Sequence, residues 1–330
     1  MNTPRYVYEA LETHSLSARV RTRTPLLYRD GAQPAEDLPA HVRAGSAMAV
    51  SSRRIAVIQD DTNAIALIDR STHAVTPLLL PAGEGGARQF GEDRGNKKHK
   101  LDLEACVVLP EQELLLAFGS GSTPARERVL VVRGIDHEPA VHVADASALY
   151  AAMRADKSFS GSELNIEGVA RVERHLRFFQ RGNGAHDGAH GPIDATVDIA
   201  IDAVLAALDA PSARVRLERV RRVELGALHG VRLTFTDAWS DGEEPVWFLA
   251  AAEDSPDTYR DGVVRGSVIG WIDGAGDGYW CPITDERGQP FCDKAEGLAL
   301  DPSNPDRAWV VVDKDDPAAP CELCELVLRR

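Results

Sequence analysis

The stretch Asn165-Ile166-Glu167-Gly168-Val169-Ala170 carries a pattern that returns along the whole chain. It recurs as Ala295-Glu296-Gly297-Leu298-Ala299, as Leu103-Glu104-Ala105-Cys106-Val107 and as Leu228-His229-Gly230-Val231-Arg232, and in weaker form as Gly45-Ser46-Ala47-Met48-Ala49. In each copy a polar residue precedes Gly or Ala, and an apolar run follows. The polar positions 46, 104, 167, 229 and 296 stand 58, 63, 62 and 67 residues apart. Self-similarity at a near-constant period is the signature of a repeat architecture.

Each repeat divides into short apolar runs with polar turns between them, which is the pattern of an antiparallel meander. In the first the runs are Ser46-Val50, Arg54-Gln59, Ala64-Asp69 and Val75-Leu80; in the second they are Glu104-Leu109, Glu113-Phe118, Arg128-Val132 and Ala140-Val143. The third has Glu167-Val172, Leu176-Gln180, Thr196-Ile201 and Arg214-Leu225, with helical patterns at Ala146-Arg154 before it and Asp202-Leu208 within it. The fourth has His229-Phe235, Val246-Ala251, Ser267-Ile272 and Tyr279-Ile283. The fifth has Glu296-Leu300, Ala308-Val312 and Cys321-Leu328, and ends one strand short. Thr24-Pro25-Leu26-Leu27 echoes Thr76-Pro77-Leu78-Leu79 of the first repeat, so the N-terminal segment 1–30 is expected to supply the missing strand. Closure of this kind leaves each sheet with short, protected edges. The expectation is an all-β fold: one β-propeller domain over 1–330 with five four-stranded blades, or six if Tyr6-Leu11 and its neighbours begin another.

Loop lengths point to one face. The turns after first strands are mostly short, whereas Gly119-Arg126, Arg181-Pro192 and Glu253-Gly266 after second strands are long, as is Gly83-Lys100 between repeats. In a meander both long sets lie at the end where the first strands begin, and long loops on a rigid scaffold are where function concentrates. The innermost strand of a blade lines the central channel. Ser46, Glu104, Glu167, His229 and Glu296 are therefore expected to form one ring at that face. Converging carboxylates repel, so either some protonate or a cation sits among them. Oxygen ligands suit Ca²⁺ or Mg²⁺, and a histidine added to Glu104, Glu167 and Glu296 would also admit Mn²⁺ or Zn²⁺. The structural alternative is that each glutamate hydrogen-bonds to the backbone of the next blade. A second set follows from the same register: Asp60-Asp61, Ser120, Arg181 with Asn183, Glu253-Asp254 and Asp313-Lys314-Asp315, with Lys314, Arg181 and Lys294 as anion contacts.

Other motifs are weaker. His186 and His190 lie in a glycine-rich loop rather than on a helix. Gly119-Ser120-Gly121-Ser122 lacks the lysine of a phosphate-cradling loop. No Gly-x-Ser-x-Gly is present. Cys321 and Cys324 form a C-x-x-C, but on a strand residues three apart point to opposite faces. The five cysteines have no framework spacing.

Composition bounds the function class. The 330 residues are 44% apolar and 27% charged, enough apolar mass for a full core. A net charge of −14 argues against nucleic acid and anionic membranes and is compatible with cations. No signal-like segment is visible, and no apolar run approaches the ~20 residues that span a bilayer. The expected setting is a cytoplasmic monomer.

The repeated Glu-Gly-Val/Leu-Ala opening, with Leu-Glu-Ala and Gly-Ser-Gly-Ser, resembles the phytase-like and esterase-like bacterial β-propellers and a related bacterial propeller group of unknown function. That resemblance implies a central calcium near inner-strand acids, carried here onto Glu104, Glu167 and Glu296. The sequence departs from it at His229 and Ser46, which stand where further acids would be expected. The functional expectation is metal-dependent hydrolysis of a small ester, lactone or phosphoester, with His229 or Glu167 as general base. The alternative is a propeller that binds a small ligand or a protein without catalysis.

Overall fold

The inner strands form where the chain alternates between two apolar surroundings, whereas outer strands such as Glu218–Glu224 alternate between core and water. The computed structural model describes residues 6–210, 212–254 and 262–330. At its start run β1 (Tyr6–Glu12) and β2 (Ser17–Pro25). A first antiparallel array follows: β3 (Gly45–Val50), β4 (Arg54–Gln59), β5 (Ala64–Asp69) and β6 (Val75–Leu79). The second comprises β7 (Leu103–Leu109), β8 (Leu114–Gly119), β9 (Arg128–Arg133) and β10 (Ala140–Asp145). After the helices α1 (Ser147–Ala155) and α2 (Lys157–Ser160) come β11 (Ile166–Val172), β12 (His175–Gln180) and β13 (Asp194–Ala200). The helix α3 (Ile201–Asp209) then precedes β14 (Glu218–Glu224), which completes the third array. The short β15 (Ala227–Leu228) leads into β16 (Val231–Trp239), β17 (Val246–Asp254), β18 (Val263–Ile272) and β19 (Gly278–Thr284). Last come β20 (Lys294–Asp301), β21 (Asn304–Asp313) and β22 (Glu322–Arg329), and β22 pairs antiparallel with β2.

The first strands touch in order, β3 to β7 to β11 to β16 to β20, and β20 in turn touches β3. The fold is a β-propeller. Its core is a set of apolar layers between neighbouring arrays. Along β4, Ile55 and Val57 pack toward Trp309 and Val311 of β21, whereas Ala56 and Ile58 pack toward Leu115 and Ala117 of β8. This period-2 alternation with both faces buried explains why the strands read as almost unbroken apolar runs. The layer between the second and third arrays is extended by Leu149, Tyr150 and Met153 of α1 and Val204 of α3.

Tyr6–Glu12 does not begin a further array. β1 pairs in parallel with β14 and then with β19, bridging the outer strands of the third and fourth arrays. β2 pairs with β22 along its length and also makes a short parallel contact with β19 through Ala18 and Arg19. The connection expected over Glu253-Gly266 lies partly, at 255–261, outside the described residues. Cys321 and Cys324 diverge into different apolar layers, and Cys321 Sγ accepts a hydrogen bond from Gly45 N at 3.0 Å.

Candidate functional site

Every first strand carries a β-bulge, near the start of β3, β7, β11 and β20 and past the middle of β16. The pairing skips one residue between Gly45 and Ala47, Leu103 and Ala105, Ile166 and Gly168, Phe235 and Asp237, and Ala295 and Gly297. The skipped residues are Ser46, Glu104, Glu167, Thr236 and Glu296. A bulge leaves its extra residue out of the ladder and re-aims that side chain, which is how bulges come to serve sites. Except in β16, where Asp237 follows, the next residue is small, and at the two glycines this has a steric cause. A Cβ on Gly297 would lie 2.9 Å from the Ala47 carbonyl carbon of β3, and one on Gly168 would lie 2.9 Å from Ala238 N of β16.

The fourth ring member is therefore Thr236, not His229. His229-Gly230 is the two-residue turn joining β15 to β16, with φ of 52° and 79°. His229 is exposed and does not line the central cavity. A positive-φ hairpin turn needs a small polar pair ahead of an apolar strand, and so it imitates the repeat motif seven residues too early.

The bulged residues divide into two kinds. Ser46 Oγ donates to Leu103 O at 2.6 Å, and Thr236 Oγ1 donates to Ala295 O at 2.7 Å, each bonding the residue just before the next ring member. These hydroxyls, with Asp237 accepting from Leu298 N at 2.7 Å, supply the inter-strand ties that the structural alternative assigned to the glutamates. The three glutamates instead face a cavity of about 440 Å³. It is lined by the starts of β7, β11 and β20, the ends of the second strands, and the loop before β7. Asp61, Arg181, Asn183, Glu253, Lys294 and Asp313 all line it. Ser120 lies just behind the lining and donates to Asp102. Lys314 does not reach the cavity; its ammonium is held 2.7 Å from Glu322 and 3.4 Å from Asp293.

Charges alternate around the wall, but not evenly. Arg181 lies 2.6 Å from Glu253 and 3.5 Å from Glu167, and its Nε donates to Thr234 at 3.2 Å. Glu167 also accepts from Asn165 at 2.7 Å. Lys294 lies 3.0 Å from Glu296. Arg43 pairs with Asp61. Lys100 bridges Asp60 and Asp102, and Arg126 lies 2.8 Å from Asp102. Among the described residues, twelve carboxylate side chains and six cations line the cavity.

The imbalance sits at Glu104. Among the described residues nothing hydrogen-bonds or ion-pairs with it. Burial, then Asp60, Asp102 and Glu167, push its carboxyl well above the ordinary value against the pull of Lys100. Burial likewise raises Glu167 and Glu296, opposed in each case by Arg181 and Lys294. Burial pushes Asp313 up to about 7, with Lys294 opposing it and Asp315 and Asp60 adding to it. Burial would raise Asp102 too, but Lys100 and Arg126 together hold it below the ordinary value.

Among the described residues, the group able to hold a metal is Asp60, Asp102 and Glu104, with ligand atoms within 4.8 Å of one another. This departs from the expected set of Glu104, Glu167, Glu296 and His229: of these, among the described residues, Glu104 alone belongs to the close group, and His229 lies outside the cavity. The donors are all oxygen, as Ca²⁺ and Mg²⁺ prefer. Asp60 Oδ1 is buried without a hydrogen-bond partner. The residues present therefore fit a hard cation. Asp60 belongs to the second set read from the sequence, whereas Asp102 was missed although a repeat marks it. Asp102, Asn165, Thr234 and Lys294 each stand two residues before a bulge and repeat as a second, polar ring.

A family profile described as "Family of unknown function (DUF6929)" matches residues 41–328. The chain belongs to that family. No curated protein matches the sequence. Glutaminyl cyclase from Myxococcus xanthus is similar in structure at 12% identity over 98% of each chain, with a TM-score of 0.48. A PQQ-bound aldose sugar dehydrogenase from Streptomyces coelicolor is similar at 12% identity over 96% of this chain and 99% of its own, with a TM-score of 0.44. The Cps50 (Swd1) β-propeller domain from Myceliophteria thermophila is similar at 12% identity over 83% of this chain and 66% of its own, with a TM-score of 0.34. For the DUF6929 chain the likeness extends no further than the fold.

Proposed function

We propose that this chain is a five-bladed β-propeller, its last blade completed by β2, that binds a small ligand in the axial cavity through a cation held at Asp60, Asp102 and Glu104. The observation that carries the reading is Glu104. Around it three carboxylates meet two cations, Lys100 and Arg126, which leaves one carboxylate without compensation. A buried charge of that kind is costly unless it is neutralised. Ca²⁺ suits the all-oxygen donors best, with Mg²⁺ or Mn²⁺ next; Zn²⁺ loses its expected histidine. A bound ion would present an electropositive centre to an anionic or carbonyl-bearing ligand. Arg43, Arg181 and Lys294 stand in the same wall.

Hydrolysis needs a base beside the cation as well. His229 lies outside the cavity, and the Glu167 carboxylate is occupied by Asn165 and Arg181. Neither base expected from the sequence is therefore free beside the cation, and ligand binding is the reading proposed. Thermal melts test it. An ion that binds only the native state adds stability of about RT ln(1 + [L]/Kd), so Ca²⁺ should raise Tm and chelator reverse it. Glu104→Gln keeps the size but removes the uncompensated charge, and should abolish the calcium-dependent shift while melting at least as high in chelator. A wild-type melt indifferent to Ca²⁺, Mg²⁺ and Mn²⁺ would refute the cation site.

A further inference from the structure

Lys100 ends the connection that runs over the cavity wall between the first two arrays. Its side chain is only 10% exposed, and its ammonium lies 2.6 Å from Asp102 and in direct contact with Asp60. Those two carboxylates, with Glu104, are the group whose ligand atoms lie within 4.8 Å of one another. An ammonium at hydrogen-bonding distance from two of three donors stands where a metal ion bound by all three would have to lie. Two cations cannot share that space, because their repulsion at a few ångströms in a partly desolvated site outweighs what the carboxylates return to each.

Resting on the cation reading above, we propose that Lys100 is an internal counter-ion that holds the seat of the divalent cation and leaves it when the ion enters. Lys100 thereby sets the affinity of the site. The choice of residue is consistent with a displaceable occupant. Lysine is a point charge on a flexible four-carbon stem, whereas Arg126 carries a rigid planar guanidinium whose Nη1 lies 2.8 Å from both Asp102 and Ser122. The cavity of about 440 Å³ gives the lysine stem room to turn toward water. Arg126 stays on Asp102 through the exchange, so the site never carries the full repulsion of three bare carboxylates. A fixed arginine in place of Lys100 would close the site. A neutral side chain would leave it permanently open, at a cost to the ion-free fold.

Calorimetric titration of the full chain with CaCl₂ and with MnCl₂ separates the possibilities. Lys100→Met should bind at least tenfold tighter than wild type and gain more Tm on ion addition. Glu104→Gln should lose binding in either background. Measurable binding in Lys100→Met with none in wild type would also support the proposal. Equal affinities in wild type and Lys100→Met, with binding still lost in Glu104→Gln, would overturn the role of Lys100 and leave the cation site standing. No binding in either protein would overturn both. A measurement on wild type alone covers the case in which Lys100→Met fails to fold. Under amine-specific labelling read by mass spectrometry, Lys100 should react faster with saturating Ca²⁺ than in chelator. An unchanged or slower rate in the presence of bound ion would show that the ammonium stays where it is.

Discussion

At the scale of single residues, the cavity is a place where burial decides protonation. Asp313 shows this with a sign that can be worked out. Burial pushes its carboxyl up to about 7 from an ordinary 3.8, against the pull of Lys294. Between those two values the folded chain keeps a proton that the unfolded chain releases. Its contribution therefore favours the fold below about pH 4 and is lost as pH rises toward 7. Asp313→Asn removes that loss. In the presence of chelator the variant should melt higher than wild type at pH 8 by about 1–2 kcal/mol of stability, the full shift being discounted for partial solvent access, and the two should converge near pH 4. Melting curves that stay parallel between pH 4 and 8 would mean that Asp313 titrates normally.

At the scale of elements, the strands were legible and the bulges were not. Apolar runs and turn residues placed first strands such as Glu104-Leu109 and Glu167-Val172 within a residue or two of β7 and β11, because both faces of these strands are buried and the runs are unbroken. A bulge, by contrast, is one extra residue in the pairing of two strands. Its position depends on the partner strand, and the local pattern that accompanies it in four strands is one a hairpin turn also carries. The ring was found at Ser46, Glu104, Glu167 and Glu296 because polar-small-apolar repeats there, and missed at Thr236 because the turn His229-Gly230 carries the same pattern. Lys100 was missed for another reason: it belongs to a loop, and loops fall outside the repeat. The register of β16 makes a sharp pair of expectations. Thr236→Val deprives the Ala295 carbonyl of its 2.7 Å donor inside the core and should cost about 1–2 kcal/mol. His229→Asn, at an exposed positive-φ turn that asparagine tolerates, should change stability by less than about 0.5 kcal/mol. Chemical denaturation of the two variants reads both values, and the reverse order would restore His229 to the ring.

At the scale of the whole molecule, the N-terminal segment acts over three arrays. β1 pairs with β14 and β19, and β2 pairs with β19 and β22, so one stretch of chain joins the outer strands of the third, fourth and fifth arrays. The Thr-Pro-Leu-Leu echo pointed to β2, but nothing in the sequence revealed β1 as a bridge, since parallel pairing at an outer edge has no turn signal of its own. Deleting residues 1–30 exposes the edge of β22 along with the bridged edges. The truncated chain should aggregate or melt far below the full chain; a truncation that melts with the full chain would make the segment an appendage. What the successive first strands provide is an axial wall on which three glutamates, Asp60, Asp102 and Lys100 face one another. The most direct measurement of what that wall holds is anomalous diffraction from crystals of the full chain soaked in Mn²⁺. The expected result is a single strong peak among the carboxylates of Asp60, Asp102 and Glu104, with the Lys100 ammonium moved away from Asp60. A map with no peak there and Lys100 still bridging Asp60 and Asp102 would contradict the cation site.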